Sequence, residues 1–361
     1  MAEFVDELER FDASAPLAAG RTPPSSWYCD PAALALEKKT VLKRSWQAVG
    51  RLDQVKESGC YFSGTLAGEP FVVVRGDDGK IRGFFNVCRH HATCVVSGEG
   101  QKKRLTCPYH GWSYNLDGSL FGTANAGTLE DFKPADYGLI SIPCEAWGPF
   151  VFLCLDPSPP SLKDQLKPLR GPLAKTNFEA LHFAERRVYE MQCNWKVYVD
   201  NYLDGGYHVP TLHKELAGKL SLSGYRSEIF DRLSIQYCKG ASMLDARVGD
   251  EQLYAWVYPN FMINRYGPVM DTNLVLPVSE TRCKVVFDYY FENVEGEEAR
   301  KFIAESIPPS DRVQNEDIAI CESVQQGLLS SAYDQGRYAP QWEAPTQHFH
   351  KLLAADLKEG R

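Results

Sequence analysis

No unbroken apolar run in this sequence reaches the ~20 residues that a bilayer-spanning helix needs, so no membrane partner is expected and the chain reads as soluble. It has no basic excess either: 39 Lys and Arg stand against 47 Asp and Glu, a formal net charge of -8 over 361 residues. Phosphate-rich surfaces, nucleic acid above all, are thereby excluded as the main partner, because few cations remain to replace released counterions. A small molecule or a protein partner is expected instead. Internal repeats and low-complexity tracts are absent too, which excludes solenoids and linker-like polymers. The opening Met1-Ala-Glu-Phe-Val-Asp-Glu is acidic, unlike a signal or transit peptide.

What is present suits a folded protein of two domains. Apolar residues make up 44% of the chain and aromatics 12%, enough for substantial cores. Eleven cysteines are an odd number, scattered along the chain, which favours free thiols or metal ligands in a reducing compartment over a disulfide framework. Residues 1–42 are polar and broken by Pro23-Pro24, and read as an arm of short helical pieces that packs on the later domain. Glycine-punctuated β runs follow in residues 43–156, among them Phe71-Val72-Val73-Val74 and Phe150-Val151-Phe152-Leu153. A Pro-rich stretch, Asp156-Pro157-Ser158-Pro159-Pro160-Ser161, marks the end of this small all-β domain. Residues 157–361 mix strands (Val188 to Cys193, Lys284 to Phe291) with helices (about Trp195 to Gly205, and Asp311 to Leu329), predicting an α+β domain.

Two constellations carry chemistry. In the first, Cys88-Arg89-His90 and Cys107-Pro108-Tyr109-His110 are separated by sixteen residues. Two cysteines and two histidines suit either zinc or a Rieske 2Fe-2S cluster, in which two imidazoles replace two thiolates on one iron. Mixed Cys-His pairs between β runs, with no following recognition helix, favour the cluster. Cys94, between the pairs, is expected to be a buried structural thiol.

The second constellation is His208 and His213, five residues apart, with Asp317 far along the chain. On a continuous helix that interval turns by ~140° and the imidazoles diverge. Pro210 disfavours helix at Val209 and is expected to let the chain double back. Asp317 shares a predicted helical face with Ile320, Cys321, Val324 and Leu328, which places a carboxylate on an apolar, inward surface. Such burial is costly without a compensating cation. Two histidines and a carboxylate form the facial triad that leaves positions open on Fe(II) for O2 and a substrate.

From about Lys43 onward these motifs, with Gly111-Trp112 completing the second Cys-His string, resemble the Rieske non-heme iron oxygenases. The resemblance implies a Rieske domain followed by a helix-grip (START-like) catalytic domain, usually in homotrimers where one subunit's cluster serves its neighbour's iron. It also implies that His110 hydrogen-bonds an acid beside an iron-bound histidine across the interface, here His208. That acid usually stands three residues before the first iron histidine, where this chain has Gly205, so Asp204 is the expected substitute. Asn201 matches a family position near the iron.

Asp200-Asn201-Tyr202-Leu203-Asp204-Gly205-Gly206-Tyr207-His208-Val209-Pro210 and Tyr258-Pro259-Asn260-Phe261-Met262-Ile263-Asn264-Arg265-Tyr266-Gly267-Pro268 are similar to the choline monooxygenase branch. That branch implies hydroxylation of a quaternary ammonium compound such as choline, to betaine aldehyde hydrate. It sets the expected location as cytoplasm or, for a mature plant-type form, chloroplast stroma. An ammonium needs aromatic faces, and Trp256, Tyr258, Phe261 and Tyr266 are the candidate cage.

The sequence has no Gly-x-Gly-x-x-Gly fingerprint and no plant-type ferredoxin cysteine array, so a separate ferredoxin or flavin reductase must supply electrons. The basic run Gln101-Lys102-Lys103-Arg104 is a candidate dock for an acidic donor. Alternatives are an N-demethylase of a betaine- or carnitine-like amine, an aromatic-ring hydroxylase, or an electron-transfer or redox-sensing protein.

Overall fold

The structure, a computed structural model, describes residues 2–217, 220–240 and 251–359. The chain forms two compact units: Leu42–Lys163, and Met1–Val41 together with Asp164–Arg361.

In the smaller unit, five strands pair in the order Glu99–Gln101, Cys60–Leu66, Glu69–Arg75, Ile81–Phe85, Ser141–Ile142. The central strand shows why its sequence is a continuous apolar run instead of an alternating one. Val72 and Val74 enter one core with Tyr61, Phe84 and Trp112, while Phe71 and Val73 enter another with Phe62, Leu66, Val151 and Leu153. Both faces of the strand are covered, so both sets of side chains must be apolar. The Pro-rich stretch lies in this unit, and the Pro160 carbonyl accepts from the Trp46 indole N–H at 2.7 Å.

The larger unit is built on seven antiparallel strands in the order His182–Met191, Arg282–Phe291, Val269–Ser279, Phe261–Tyr266, Glu251–Val257, Leu233–Gly240, Leu220–Phe230. Helices Trp195–Leu203, Gly296–Leu328 and Ala344–Glu359 complete an α+β architecture. The first of these, the site helix, starts where the Asn194 side chain accepts from Lys196 N at 2.9 Å. The second begins about four turns before the expected Asp311–Leu329, at Gly296, with Pro308 and Pro309 inside it. Its buried stripe is Gln314, Asp317, Cys321, Gln325 and Leu328, whereas Ile320 and Val324 are exposed. Asp317 thus faces inward as expected, on a stripe more polar than the one predicted.

The N-terminal helices Ala2–Glu9, Ser26–Cys29 and Pro31–Glu37 belong to this larger unit. Glu37 forms a fully buried ion pair with Lys196 of the site helix, Oε1 to Nζ 2.6 Å, and its other oxygen accepts from the Trp195 indole at 2.7 Å. None of the eleven cysteines forms a disulfide. Among the described residues no helix is long and apolar enough to cross a membrane.

Candidate functional site

In the smaller unit two tight loops carry the Cys-His motifs. Cys88 N donates to Thr93 O at 2.8 Å, and Cys107 N donates to Trp112 O at 2.8 Å. Gly111, with φ +73°, closes the second loop in a conformation that a Cβ disfavours. The loops bring like to like. The His90 and His110 rings sit 4.7 Å apart, while the buried Cys88 and Cys107 thiols interact with one another. Two thiols on one side and two imidazoles on the other is the division of ligands that a Rieske cluster requires of its two irons.

Burial pushes the Cys107 thiol up, and a ferric ion is the kind of charge that offsets this cost. Two aromatic side chains brace the loops: Tyr114, which sequence reasoning missed, and Trp112, which it noted as part of the second motif. The Tyr114 hydroxyl lies 3.3 Å from Cys88 Sγ and accepts from Arg89 N at 2.9 Å, and Trp112 stacks on His90 with centroids 4.8 Å apart. Cys94 is exposed, against the expectation of a buried thiol, because it lies beyond the Ala92 turn, at φ +61°, that folds the first loop outward.

In the larger unit His208, His213 and Asp317 converge, with one ligand atom from each lying within 4.8 Å of the others. His213 Nε2 is 3.0 Å from Asp317 Oδ1, and His208 Nε2 is 3.8 Å from the same oxygen. Ligands held at about 2.0–2.2 Å from one ion require separations of this size. The route differs from the expected one. Pro210 occupies the first turn of a short helix, Val209–Leu212, and His208 and His213 flank it as the residues before and after. Proline is tolerated at the start of a helix, where its missing N–H has no intrahelical partner. The rings meet at 5.0 Å because His213, at φ -102° and ψ 69°, has already left the helix.

Each triad residue is held by a second group. Asp204 Oδ2 lies 2.6 Å from His208 Nδ1, and its other oxygen accepts from Gly206 N at 2.9 Å. This leaves His208 Nε2 turned toward Asp317. His213 Nδ1 is 2.5 Å from Glu316 Oε2, and Asn201 Nδ2 donates to Asp317 Oδ1 at 2.9 Å. Partners of this kind fix the tautomer and orientation of a ligating imidazole. Burial pushes the His213 imidazole down, but Asp317 and Glu316 outweigh it and the net direction is up. The same field would favour a metal cation. Glu316 was missed because an acid beside an acid on a helix carries no signal of its own.

The absence of an acid three residues before His208 has a steric reason. Gly205 sits at φ +74°, and a Cβ there would lie 2.6 Å from the Trp342 carbonyl oxygen. No other residue fits without moving backbone, and Asp204 stands one residue earlier with its carboxylate on His208.

Of the four aromatic candidates, Trp256 and Tyr258 pack on one another, with ring centroids 5.8 Å apart. Trp256 is fully buried, donates to Pro259 O at 3.1 Å and packs on Phe349 of the C-terminal helix. Tyr258 is fully buried too, its hydroxyl donating to Asp356 at 2.8 Å and its ring covered by the Arg232 guanidinium at 4.4 Å. A cation already occupies that ring, and it is the chain's own. Phe261 pairs with Val257, and so alternates to the sheet face opposite Asn264 and Tyr266. Tyr266 donates its hydroxyl to Asp271. These four do not form one cage, because strand alternation and the C-terminal helix divide them.

Known proteins agree with this geometry. Residues 45–133 match the family described as "Rieske [2Fe-2S] domain", and residues 178–359 match "Ring hydroxylating alpha subunit (catalytic domain)". The chain is 47% identical to a chloroplastic choline monooxygenase of Arabidopsis thaliana, over 97% of this chain and 86% of that protein. It is 31% identical to the carnitine monooxygenase oxygenase subunit of Escherichia coli (strain K12), over 94% of each. A solved quaternary ammonium Rieske monooxygenase superposes with a TM-score of 0.86 at 29% identity, covering 95% of this chain and 97% of that one. With a cluster domain, an iron-type triad and full-length likeness in hand, the chain belongs to the Rieske non-heme iron monooxygenases, oxidoreductases that use a 2Fe-2S cluster, a mononuclear iron and O2.

Proposed function

We propose that this protein is the oxygenase component of a quaternary ammonium monooxygenase, with choline as its substrate and betaine aldehyde hydrate as product. The observation that carries this reading is 47% identity, across 97% of the chain, to a protein named choline monooxygenase. In the balanced reaction a C–H bond beside the hydroxyl becomes C–OH, and O2 with two electrons and two protons yields that oxygen and one water.

His208, His213 and Asp317 would hold the iron, and Cys88, His90, Cys107 and His110 would hold the cluster. When bound, these centres supply stored electrons and O2 activation. The protein's contribution is positional. Asp204 accepts from His208 Nδ1–H, and Asn201 keeps Asp317 turned toward the imidazoles. In a homotrimer Asp204 would also receive His110 of a neighbouring subunit, acting as the bridging acid in place of Gly205. A ferredoxin or flavin reductase would dock near the exposed run Gln101-Lys102-Lys103-Arg104. The setting would be a reducing one, cytoplasm or chloroplast stroma.

The test is O2 uptake by the reconstituted enzyme with a reductase supplied, across choline, glycine betaine, carnitine and several aromatic acids. Stoichiometric betaine aldehyde from choline is expected. Coupling only to an aromatic acid would overturn the substrate class, and coupling only to carnitine would move the substrate from choline to that of the 31% identical carnitine monooxygenase subunit.

A further inference from the structure

The sheet face beneath the site helix is polar where a folding core would be aliphatic. Asn264, Asp271 and Asn273 are all buried there, and cross-strand register places Asn264 opposite Asp271 and Asp271 opposite Tyr289. Asp271 Oδ1 accepts from Asn264 Nδ2 at 2.7 Å and from Asn273 Nδ2 at 3.4 Å, and Oδ2 accepts from the Tyr266 hydroxyl. Burial above all pushes the hydroxyls of Tyr198, Tyr202 and Tyr289 up, and the charge of Asp271 adds to this in each.

One helical face joins this group to the triad. Tyr198, Asn201 and Tyr202 stand at i, i+3 and i+4 on the site helix. Asn201 donates to Asp317 and Tyr202 donates to Asn264 Oδ1 at 2.7 Å, so a single turn of helix reaches Asp317 directly and Asp271 through Asn264. Tyr198 donates to Gln314 Oε1 at 3.0 Å, and Gln314 lies one turn before Asp317 on the same buried stripe. The Gln314 Nε2 amide is buried and, among the described residues, has no hydrogen-bond partner. A buried donor left in that state points to a polar ligand beside it.

We infer that Asp271, with Tyr266 hydrogen-bonded to it, Tyr289 opposite it across the strand pair and Tyr202 joined to it through Asn264, is the anionic subsite that holds the substrate's ammonium group. This deepens the quaternary ammonium reading and rests on it. A carboxylate supplies the long-range attraction and tyrosine rings the cation-tolerant walls, a pairing that a quaternary ammonium suits because it attracts both without donating a hydrogen bond. The hydroxyl end of choline then extends toward Gln314 and the triad. The cage expected from Trp256, Tyr258 and Phe261 is replaced by rings from the site helix and from strand Arg282–Phe291.

The experiment compares choline with its neutral carbon isostere, 3,3-dimethyl-1-butanol, in coupled O2 uptake by the cluster- and iron-loaded enzyme and by its Asp271→Asn variant. The kcat/KM for choline should fall roughly 100-fold, carried by KM, the scale expected when one member of a buried charge pair is neutralised. The isostere's kcat/KM should hold or rise, and Asp271→Glu should restore part of the choline preference. Absorbance of the cluster and thermal unfolding report on folding. If Asp271→Asn does not fold, Tyr266→Phe keeps the ring and removes a donor to Asp271, and should move the KM of choline but not that of the isostere. An unchanged choline-to-isostere ratio in a folded variant, with choline still turned over by the parent enzyme, overturns the Asp271 assignment alone. A parent enzyme that turns over no ammonium compound overturns the substrate reading and this subsite with it.

Discussion

At the scale of single residues, the proposed connection between the two redox centres rests on Gly205 and Asp204. Placing a side chain at residue 205 costs about 1–2 kcal/mol for left-handed backbone alone, before the clash with the Trp342 carbonyl is added. Gly205→Glu should therefore lower the melting temperature by roughly 2–8 °C and give no gain in turnover, as read by circular dichroism and O2 uptake. Asp204→Asn keeps the size of the side chain and loses its charge. Turnover should fall about 10- to 100-fold while iron content, by metal analysis, stays near that of the parent; parent-like turnover would remove Asp204 from the electron route. The residue types at both centres were legible in the sequence because metals demand particular donors at short spacing, as at Cys88-His90, Cys107-His110 and His208-His213. Glu316 and Asp271 were not, because their partners come from loop closure and cross-strand register that no local spacing records.

At the scale of elements, the site helix Trp195–Leu203 does the most, with one face on Asp317 and Asn264 and another on the N-terminal arm. Asn201→Ala removes the only described side-chain amide on Asp317 Oδ1, and iron affinity should drop about 10- to 100-fold, measured by competition with a chelator. Lys196→Met leaves Glu37 buried without its cation. The expected loss is about 3–5 kcal/mol, visible in chemical denaturation; a loss below ~1 kcal/mol would show that the pair is dispensable. The helix itself was expected at about Trp195 to Gly205 and ends two residues sooner, at Leu203. The full length of Gly296–Leu328 was not, since Pro308-Pro309 reads as a helix start and the local pattern cannot tell a proline at the first turn from one tolerated inside. The predicted inward face erred for a related reason: Ile320 and Val324 are apolar yet exposed, and Gln314 and Gln325 are polar yet buried.

At the scale of the whole molecule, the cluster motifs and the iron triad lie in different compact units. Chelation of the mononuclear iron should then abolish O2 uptake and leave the visible absorbance of the cluster unchanged, and re-addition of Fe(II) should restore uptake; a parallel loss of both signals would mean that the units are not independent. The two-unit plan was legible as a change from β-rich to mixed texture. That residues 1–41 rejoin the later unit followed only from the expectation that the arm packs there, and Glu37 on Lys196 gives it a physical basis. This arrangement has a consequence for biosynthesis. Residues 42–163 form a compact unit of their own that is complete in sequence before the second half of the chain exists, whereas the arm ahead of them must wait for Lys196 and the strand His182–Met191 must wait for Arg282–Phe291. A nascent chain would then present the loops proposed to hold the iron–sulfur cluster while the residues proposed to hold the iron have yet to be translated, an order in which the electron store can be loaded before the oxidant is built.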